Sequence, residues 1–162
     1  MKINLIKTIG YICLSQTILL PLAYAHDISS ERAQQIAQHA ANHCAGLGYK
    51  VSATVVDSAG HIKSVVRMDG AGPHTLDASR RKAYTSASSK NTTTALLLAS
   101  QSNPGSQNLG QIDGFLLLGG GIPLKDSAGV TIGAIGVGGA PSGAIDDTCA
   151  QAGIDSEQTK RR

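Results

Sequence analysis

Two hairpins built on the same turn constrain the fold of this chain more than any other feature. The tetrapeptide Asp-Ser-Ala-Gly occurs at 57–60 and again at 126–129, each time between short runs rich in β-branched residues. Asp, Ser and Gly favour turns, and apolar runs on both sides of a turn are typical of antiparallel strand pairs. We interpret the repeat as two ordinary hairpin turns. The strands are predicted at 50–57, 61–68, 122–125 and 130–137.

Helical patterns surround these hairpins. Residues 28–47 place apolar side chains at helical spacing behind Ser29 and Ser30, which are good N-caps. Residues 115–118 form a short apolar run that predicts a fifth strand. The sequence therefore predicts an α+β fold, a mostly antiparallel five-stranded sheet covered by helices. The other helices are predicted at 74–89, 92–100 and 143–153.

The first 25 residues have the pattern of a secretory signal peptide. Lys2 and Lys7 precede the mostly apolar stretch 9–22, and Ala23-Tyr24-Ala25 is a small-residue cleavage site. We expect a domain at 26–153, a flexible C-terminal tail at 154–162, and a periplasmic or secreted protein without stable membrane insertion after cleavage.

Charge and aromatic content exclude nucleic acid as a partner. The chain has 14 basic and 11 acidic residues, but two lysines belong to the signal and the last three residues, 160–162, are all basic. The domain between them is slightly acidic and lacks the basic stripe that a phosphate backbone requires. Without Trp and with a single Phe, it also lacks aromatic stacking platforms.

Two cysteines, Cys44 and Cys149, remain after signal removal. Export places them in an oxidising compartment, and both fall in predicted helices at opposite ends of the domain. A disulfide between them is favoured over two buried thiols that never meet. It would close a loop of about a hundred residues, which chain-entropy arguments rate at up to about 4.7 kcal/mol.

Several patterns resemble parts of known ligand sites, but each lacks residues that such a site needs. The glycine-rich stretches 119–121 and 133–139 lack the partners of a phosphate or dinucleotide loop, so we interpret them as tight turns and close backbone approaches. His39 and His43 share a helix face, but without an evident third metal ligand they are interpreted as surface residues. His26, the first residue after cleavage, has no assignable second histidine for a copper chelate.

The segment 67–84 is the best candidate binding region. His74 follows a Gly-Pro loop, where an imidazole is able to ligate haem iron. Taken alone, these residues favour a plainer interpretation, a surface helix start followed by a solvated basic face. The possible neighbours of a haem are Arg67, Arg80, Arg81 and Lys82 for the propionates, and Met68 and Tyr84 for apolar or axial contact.

Motifs spread over the chain together resemble the GlcG/HbpS-type family of haem-binding or haem-degrading domains. That family is also similar to the C-terminal domain of PduO-type corrinoid adenosyltransferases. The resemblance implies a profilin-like or PAS-like α/β sandwich, a homo-oligomer and haem as ligand. It has no fixed histidine at position 74, so His74 as iron ligand is inferred from this chain alone. The matching segments are 55–61, 67–71, 82–87, 120–124, 132–143 and 146–150.

We therefore expect an exported protein that binds haem or a related tetrapyrrole for uptake, buffering or sensing. One alternative is an enzyme that degrades haem, or converts a small metabolite, in the same cleft, although no acid, base or nucleophile stands out. Another is an oligomeric scaffold or accessory protein whose glycine-rich strands form subunit contacts.

Overall fold

The computed structural model describes residues 27–159. The predicted signal peptide, His26 and residues 160–162 lie outside this part of the chain. Within it, two short 3-10 helices, Pro104–Ser106 and Leu109–Gln111, precede the third strand. The α-helices are α1 (Ser30–Gly46), α2 (Thr75–Ser89), α3 (Thr93–Ser102) and α4 (Gly143–Thr159), and the strands are β1 (Ser52–Asp57), β2 (Ile62–Arg67), β3 (Gly121–Lys125) and β4 (Thr131–Gly138).

The sheet is antiparallel and has the order β2-β1-β4-β3. The two predicted hairpins are confirmed, and they join along β1 and β4, where Val55 lies opposite Ile135. Their turns have the same construction. Oδ1 of Asp57 accepts from the backbone N–H groups two and four residues on, and Oδ1 of Asp126 does the same. The carboxylate thereby replaces a backbone acceptor in each turn.

The predicted fifth strand at 115–118 is wrong, and the sheet described has four strands. The backbone of this segment bonds to side chains of α2 instead of a neighbouring strand. The N–H of Leu116 donates to Oγ1 of Thr85 at 2.9 Å, and the carbonyl of Phe115 accepts from Arg81. Two polar groups of this backbone are therefore satisfied without a strand partner.

Helices cover both faces of the sheet. On one face, α1 and α4 pack on alternate residues of β1 and β4 such as Val55 and Val137. On the other, α2 packs on Val56 and its neighbours. The α2 contact is partly polar, because Oγ1 of Thr54 and Oγ of Ser79 are 2.8 Å apart in a buried hydrogen bond. The α+β prediction is confirmed, while the profilin-like or PAS-like comparison stays a prediction.

The disulfide between Cys44 and Cys149 joins α1 to α4, with an S–S distance of 2.00 Å and a Cα–Cα distance of 5.5 Å. Both cysteines are fully buried. Helix α4 continues to Thr159, beyond the predicted end at Gly153, so the predicted tail begins inside this helix. In the described part of the chain, no helix has the length and apolar character to cross a membrane.

Candidate functional site

His74 stands at the N-terminal end of α2, on the rim of a cavity of about 270 Å³. Its side chain makes no capping hydrogen bond, and its ring packs so closely over Gly72 that a Cβ at residue 72 would lie 2.8 Å from Cε1. We call this space the His74 cavity. It is lined by His74, Ala78, Lys82, Leu118, residues 138–143 and Asp146.

A buried ion pair forms part of the cavity wall. Nζ of Lys82, from α2, lies 2.7 Å from Oδ2 of Asp146, from α4, and both side chains are only 4% exposed. Nζ also donates to the carbonyl of Val137 at 2.9 Å, and Oδ1 of Asp146 accepts from the N–H of Ala140 at 3.1 Å. The pair therefore ties two helices to the end of β4 and the loop that follows it.

The carboxyl group of Asp146 is tuned by two opposing effects. Loss of water around it raises its pKa, because burial disfavours the charged form. The Lys82 ammonium works in the other direction through charge and a hydrogen bond, and it does not cancel the effect of burial.

Glycines let the backbone close around this pair. Gly120 has a φ of +116°, and a Cβ there would lie 2.8 Å from Cβ of Asp146 and overlap the carbonyl oxygen of Val137. Gly119 and Gly143 approach each other equally closely, since a Cβ on Gly143 would lie 2.9 Å from Cα of Gly119. For Gly119 and Gly120, the interpretation as sites of close backbone approach is confirmed.

The predicted binding residues do not gather at one place. Lys82 lines the His74 cavity, but as a buried, paired ammonium and not as a free surface cation. Arg67 donates to the carbonyl of Ala71, in the loop that leads to His74. Sδ of Met68 accepts from the N–H of Val51 at 3.5 Å, so this side chain belongs to the core edge.

Arg81 and Tyr84 support the segment at 114–116. Arg81 donates to the carbonyl of Phe115, and the ring of Tyr84 meets that of Phe115 edge to face with centroids 6.2 Å apart. Arg80 pairs with Asp77 at 2.8 Å on the exposed side of α2. As ligand contacts, all the predicted site residues, His74 and Lys82 included, remain predictions.

Asp146 is the residue of the cavity that the sequence did not single out as chemically important. The carboxylates considered as acids or bases were those near turns. A signal was available on the other partner, because Lys82 falls on the same helix face as Ser79 and Ser86, all of them buried. A lysine on a buried face requires a partner.

A second cavity, of about 620 Å³, lies among α1, α3, β3 and α4. Among the described residues, its titratable lining consists of His43, Asp147 and Asp155, without a lysine or arginine. Asp147 is engaged, accepting from the N–H of Gly120 and the hydroxyl of Thr94, both at 2.6 Å. Among the residues described, no group of three or more His, Cys, Asp or Glu has the arrangement of a metal site.

Comparisons with known proteins agree on one family. A family model described as "Haem degrading protein HbpS-like" matches residues 28–155. A double mutant of HbpS from Streptomyces reticuli is similar in structure, with a TM-score of 0.77, 31% identity, and coverage of 93% of this chain and 98% of that one. No curated protein sequence matches.

Two further crystal structures are similar at 25% identity. One is the protein ORFY from Klebsiella pneumoniae, with a TM-score of 0.75 and coverage of 94% of this chain and 96% of that one. The other is titled as a PduOC:heme complex, with a TM-score of 0.71 and coverage of 80% and 94%.

Proposed function

The chain belongs to the HbpS-like family of haem-degrading proteins, and from this premise we propose that it binds haem, or a related tetrapyrrole, at the His74 cavity. The observation that carries the proposal is an exposed imidazole on the rim of a cavity whose wall contains a buried ion pair. A structural relative is a haem complex, which supports the same ligand class. We further propose that the protein is exported and that it serves haem uptake, buffering or sensing.

The residues fit haem at the rim of the cavity and not in its depth. A volume of about 270 Å³ is below the roughly 300–1,000 Å³ of sites that enclose a ligand. A macrocycle would therefore be held at the mouth of the cavity and not enclosed by it. His74 is the proposed ligand of the haem iron, because its imidazole stands at the N-terminal end of α2 and makes no capping hydrogen bond.

Bound haem would supply an iron centre for reversible ligation. The chain's own residues orient it: His74 provides the imidazole, and Gly72 leaves room for that ring. Leu118 is half exposed and lines the same cavity, so it offers an apolar edge to the macrocycle. Burying such an edge removes apolar surface from water, which favours binding.

Assembly into a homo-oligomer is part of the proposal. Leu98, Ile112 and Leu118 are 59%, 47% and 50% exposed, all in the segment from α3 to β3. A contiguous apolar patch is typical of a contact surface, and we propose that these three side chains form one. Because Leu118 also lines the His74 cavity, a second copy seated there would cover the open side of the ligand. Light scattering on the mature protein measures the assembly, and a monomer at all concentrations would contradict it.

A haemin titration of the purified mature protein tests the ligand. We expect a saturable Soret band distinct from that of free haemin. His74→Ala should weaken binding at least tenfold, about 1.4 kcal/mol, and change the spectrum. His39→Ala, which removes an exposed histidine of α1, is the matched control and should leave both unchanged. An unaltered Soret band in His74→Ala would remove His74 from the site.

A haem-degrading activity is the second candidate. The family description names it, and the Lys82–Asp146 pair provides a buried ionisable pair beside the cavity. The test is haem loss with a reductant or peroxide, followed by absorbance. A rate no greater than that of free haemin under the same conditions would leave binding as the function.

A further inference from the structure

We propose that the free edge of β2 is a docking site for an extended, acidic segment of a partner protein, which would join the sheet as an added strand. The inference is independent of haem and of the His74 cavity. Three features of this edge support it: backbone groups that point away from the sheet, an apolar cavity beside them, and the positive charge of the strand.

The first feature is the backbone of β2, which pairs with β1 on one side and ends the sheet on the other. The N–H of Met68, directly after β2, donates to the carbonyl of Val51 at 3.1 Å. Bonded and unbonded residues alternate along an antiparallel ladder, so the N–H and C=O groups of Val65 and Arg67 point away from β1. A bulge at Lys63 confines the regular part of the edge to residues 64–67. An edge with outward backbone groups is able to pair with another chain.

The other edge of the sheet, β3, is protected at comparable positions. Pro123, in the middle of β3, has no N–H. The N–H of Gly121 donates to Oγ1 of Thr93, from α3, at 2.9 Å. Proline and a covering element both protect an edge strand from added chains. Residues 64–67 of β2 contain no proline, and we identify β2 as the edge open to a partner.

The second feature is an apolar cavity of about 260 Å³ beside this edge, between β2 and α2. Val65 lies opposite Thr54, whose hydroxyl bonds to α2, so both side chains are on the α2 face of the sheet. Ile62, Val65 and Leu76 are 53%, 42% and 41% exposed. An added strand would place every second side chain over the cavity, where an apolar side chain is removed from water. The cavity is lined by Thr54, Ile62, Val65, Leu76, Asp77 and Arg80.

The third feature is the charge of β2, which selects the kind of partner. Lys63 and Arg67 form no ion pair with a described residue. Arg67 donates to the carbonyl of Ala71, and Lys63 attracts Asp27 only through its charge. Arg67 is on the same face as Val65, because residues two apart in a strand point the same way. A strand with carboxylates on either side of an apolar residue would supply opposite charges to both cations.

The same charges disfavour a second copy of this chain on the edge. Two β2 strands paired antiparallel about Val65 would bring Lys63 of one copy close to Arg67 of the other, and like charges opposite each other destabilise a strand pair. The occupant is therefore a different chain, recognised by its backbone, by one apolar side chain in the cavity and by acidic side chains two residues to either side.

Two synthetic peptides with blocked ends test this edge on the mature protein, one with the core Glu-Thr-Leu-Thr-Glu and one with the core Lys-Thr-Leu-Thr-Lys. We expect the Glu peptide to bind saturably and the Lys peptide to bind at least tenfold more weakly, a difference of about 1.4 kcal/mol. N-methylation of the backbone should abolish binding of the Glu peptide. In the complex, amide hydrogen exchange at Val65 and Arg67 should slow at least tenfold, whereas Ser64 and Val66, which face β1, should change little.

Variants of the edge have matched controls elsewhere in the sheet. Lys63→Met/Arg67→Met should abolish the difference between the two peptides, whereas Lys125→Met, at an exposed lysine of β3, should keep it. Val65→Asp should weaken the Glu peptide at least tenfold, and Val130→Asp, at an exposed valine before β4, should not.

Several outcomes would overturn the inference. They are equal affinity for the Glu and Lys peptides, no binding of either, and unchanged amide exchange at Val65 with saturating Glu peptide. A smaller mass of Val65→Asp than of the wild-type protein in light scattering would assign the edge to a second copy instead. Haemin titration is a separate measurement, so failure of this inference and failure of the proposed function are distinguishable.

Discussion

Helix α4 is attached to the rest of the domain in two contrasting ways. A disulfide joins it to α1 inside the apolar core, through Cys44 and Cys149. A buried ion pair, Lys82–Asp146, joins it to α2 beside a cavity. The disulfide stabilises the fold by restricting the unfolded chain. A buried ion pair contributes little net stability, because its attraction is offset by the cost of removing two charges from water. The contrast indicates that one attachment holds the fold and the other shapes the site.

Removal of the disulfide should have the largest effect on stability. Cys44→Ala/Cys149→Ala releases a sequence separation of 105 residues, for which the chain-entropy estimate is about 4.7 kcal/mol. We expect that loss in the free energy of unfolding measured with urea, and haemin affinity within twofold of wild type. A tenfold weaker affinity in the folded variant would show that the disulfide also shapes the cavity.

Breaking the ion pair on one side should be nearly as costly. Lys82→Met leaves Asp146 buried without its cation, a change that typically costs about 3–5 kcal/mol. Replacing both, in Lys82→Met/Asp146→Leu, should restore most of this loss because no uncompensated charge remains. The matched control is Arg80→Met, which removes an exposed pair with Asp77 and should cost no more than about 1 kcal/mol. If the double variant were no more stable than Lys82→Met, the pair would be a net source of stability.

Alanine substitutions at two glycines of α4 test the two attachments separately, each with a smaller expected loss of stability. A Cβ on Gly153 would lie 2.6 Å from the carbonyl oxygen of Ile36 in α1, and one on Gly143 would lie 2.9 Å from Cα of Gly119 beside the His74 cavity. Each substitution to alanine should cost about 1–3 kcal/mol through overpacking. Gly153→Ala should leave haemin affinity unchanged, and Gly143→Ala should lower it. Equal affinities in the two variants would contradict the division of roles.

Local patterns predicted the local structure and missed long-range partners. The hairpins at 57–60 and 126–129 followed from turn chemistry that acts within four residues. Residues 115–118 looked like a strand because their apolar character is local, while the side chains that satisfy their backbone come from α2, 31 residues away in the case of Thr85 and Leu116.

The candidate site shows the same limit. His74 was found because it follows a Gly-Pro loop, a local signal. The partner of Lys82 lies 64 residues further along the chain, in another helix. Spacing within α2 indicates that Lys82 is buried, but only the fold brings Asp146 to it.

The smallest effect expected is a difference in pH dependence between Asp146 and a surface carboxylate, Asp27. Burial raises the pKa of Asp146 above its ordinary value of 3.8. The folded state then binds the proton more tightly than the unfolded chain, so the free energy of unfolding falls as pH rises from about 4 through the raised pKa. Hydrogen bonds from the hydroxyl and N–H of Ser58 lower the pKa of Asp27 below 3.8. The contribution of Asp27 to the free energy of unfolding is therefore complete above pH 3.8 and is lost as the pH falls below it.

Urea unfolding at steps between about pH 2 and pH 7 distinguishes the two carboxylates. Asp146→Asn should remove the fall in the free energy of unfolding as pH rises above 3.8. Asp27→Asn should remove part of the fall in the free energy of unfolding as pH drops below 3.8. The unfolding free energy of Asp27→Asn should keep the wild-type slope above pH 4, because Asp27 lies away from the attachments of α4. If the slope above pH 4 persisted in Asp146→Asn, the α4–α2 attachment would not contain the titrating group, and the contrast between the two attachments would have to rest on packing alone.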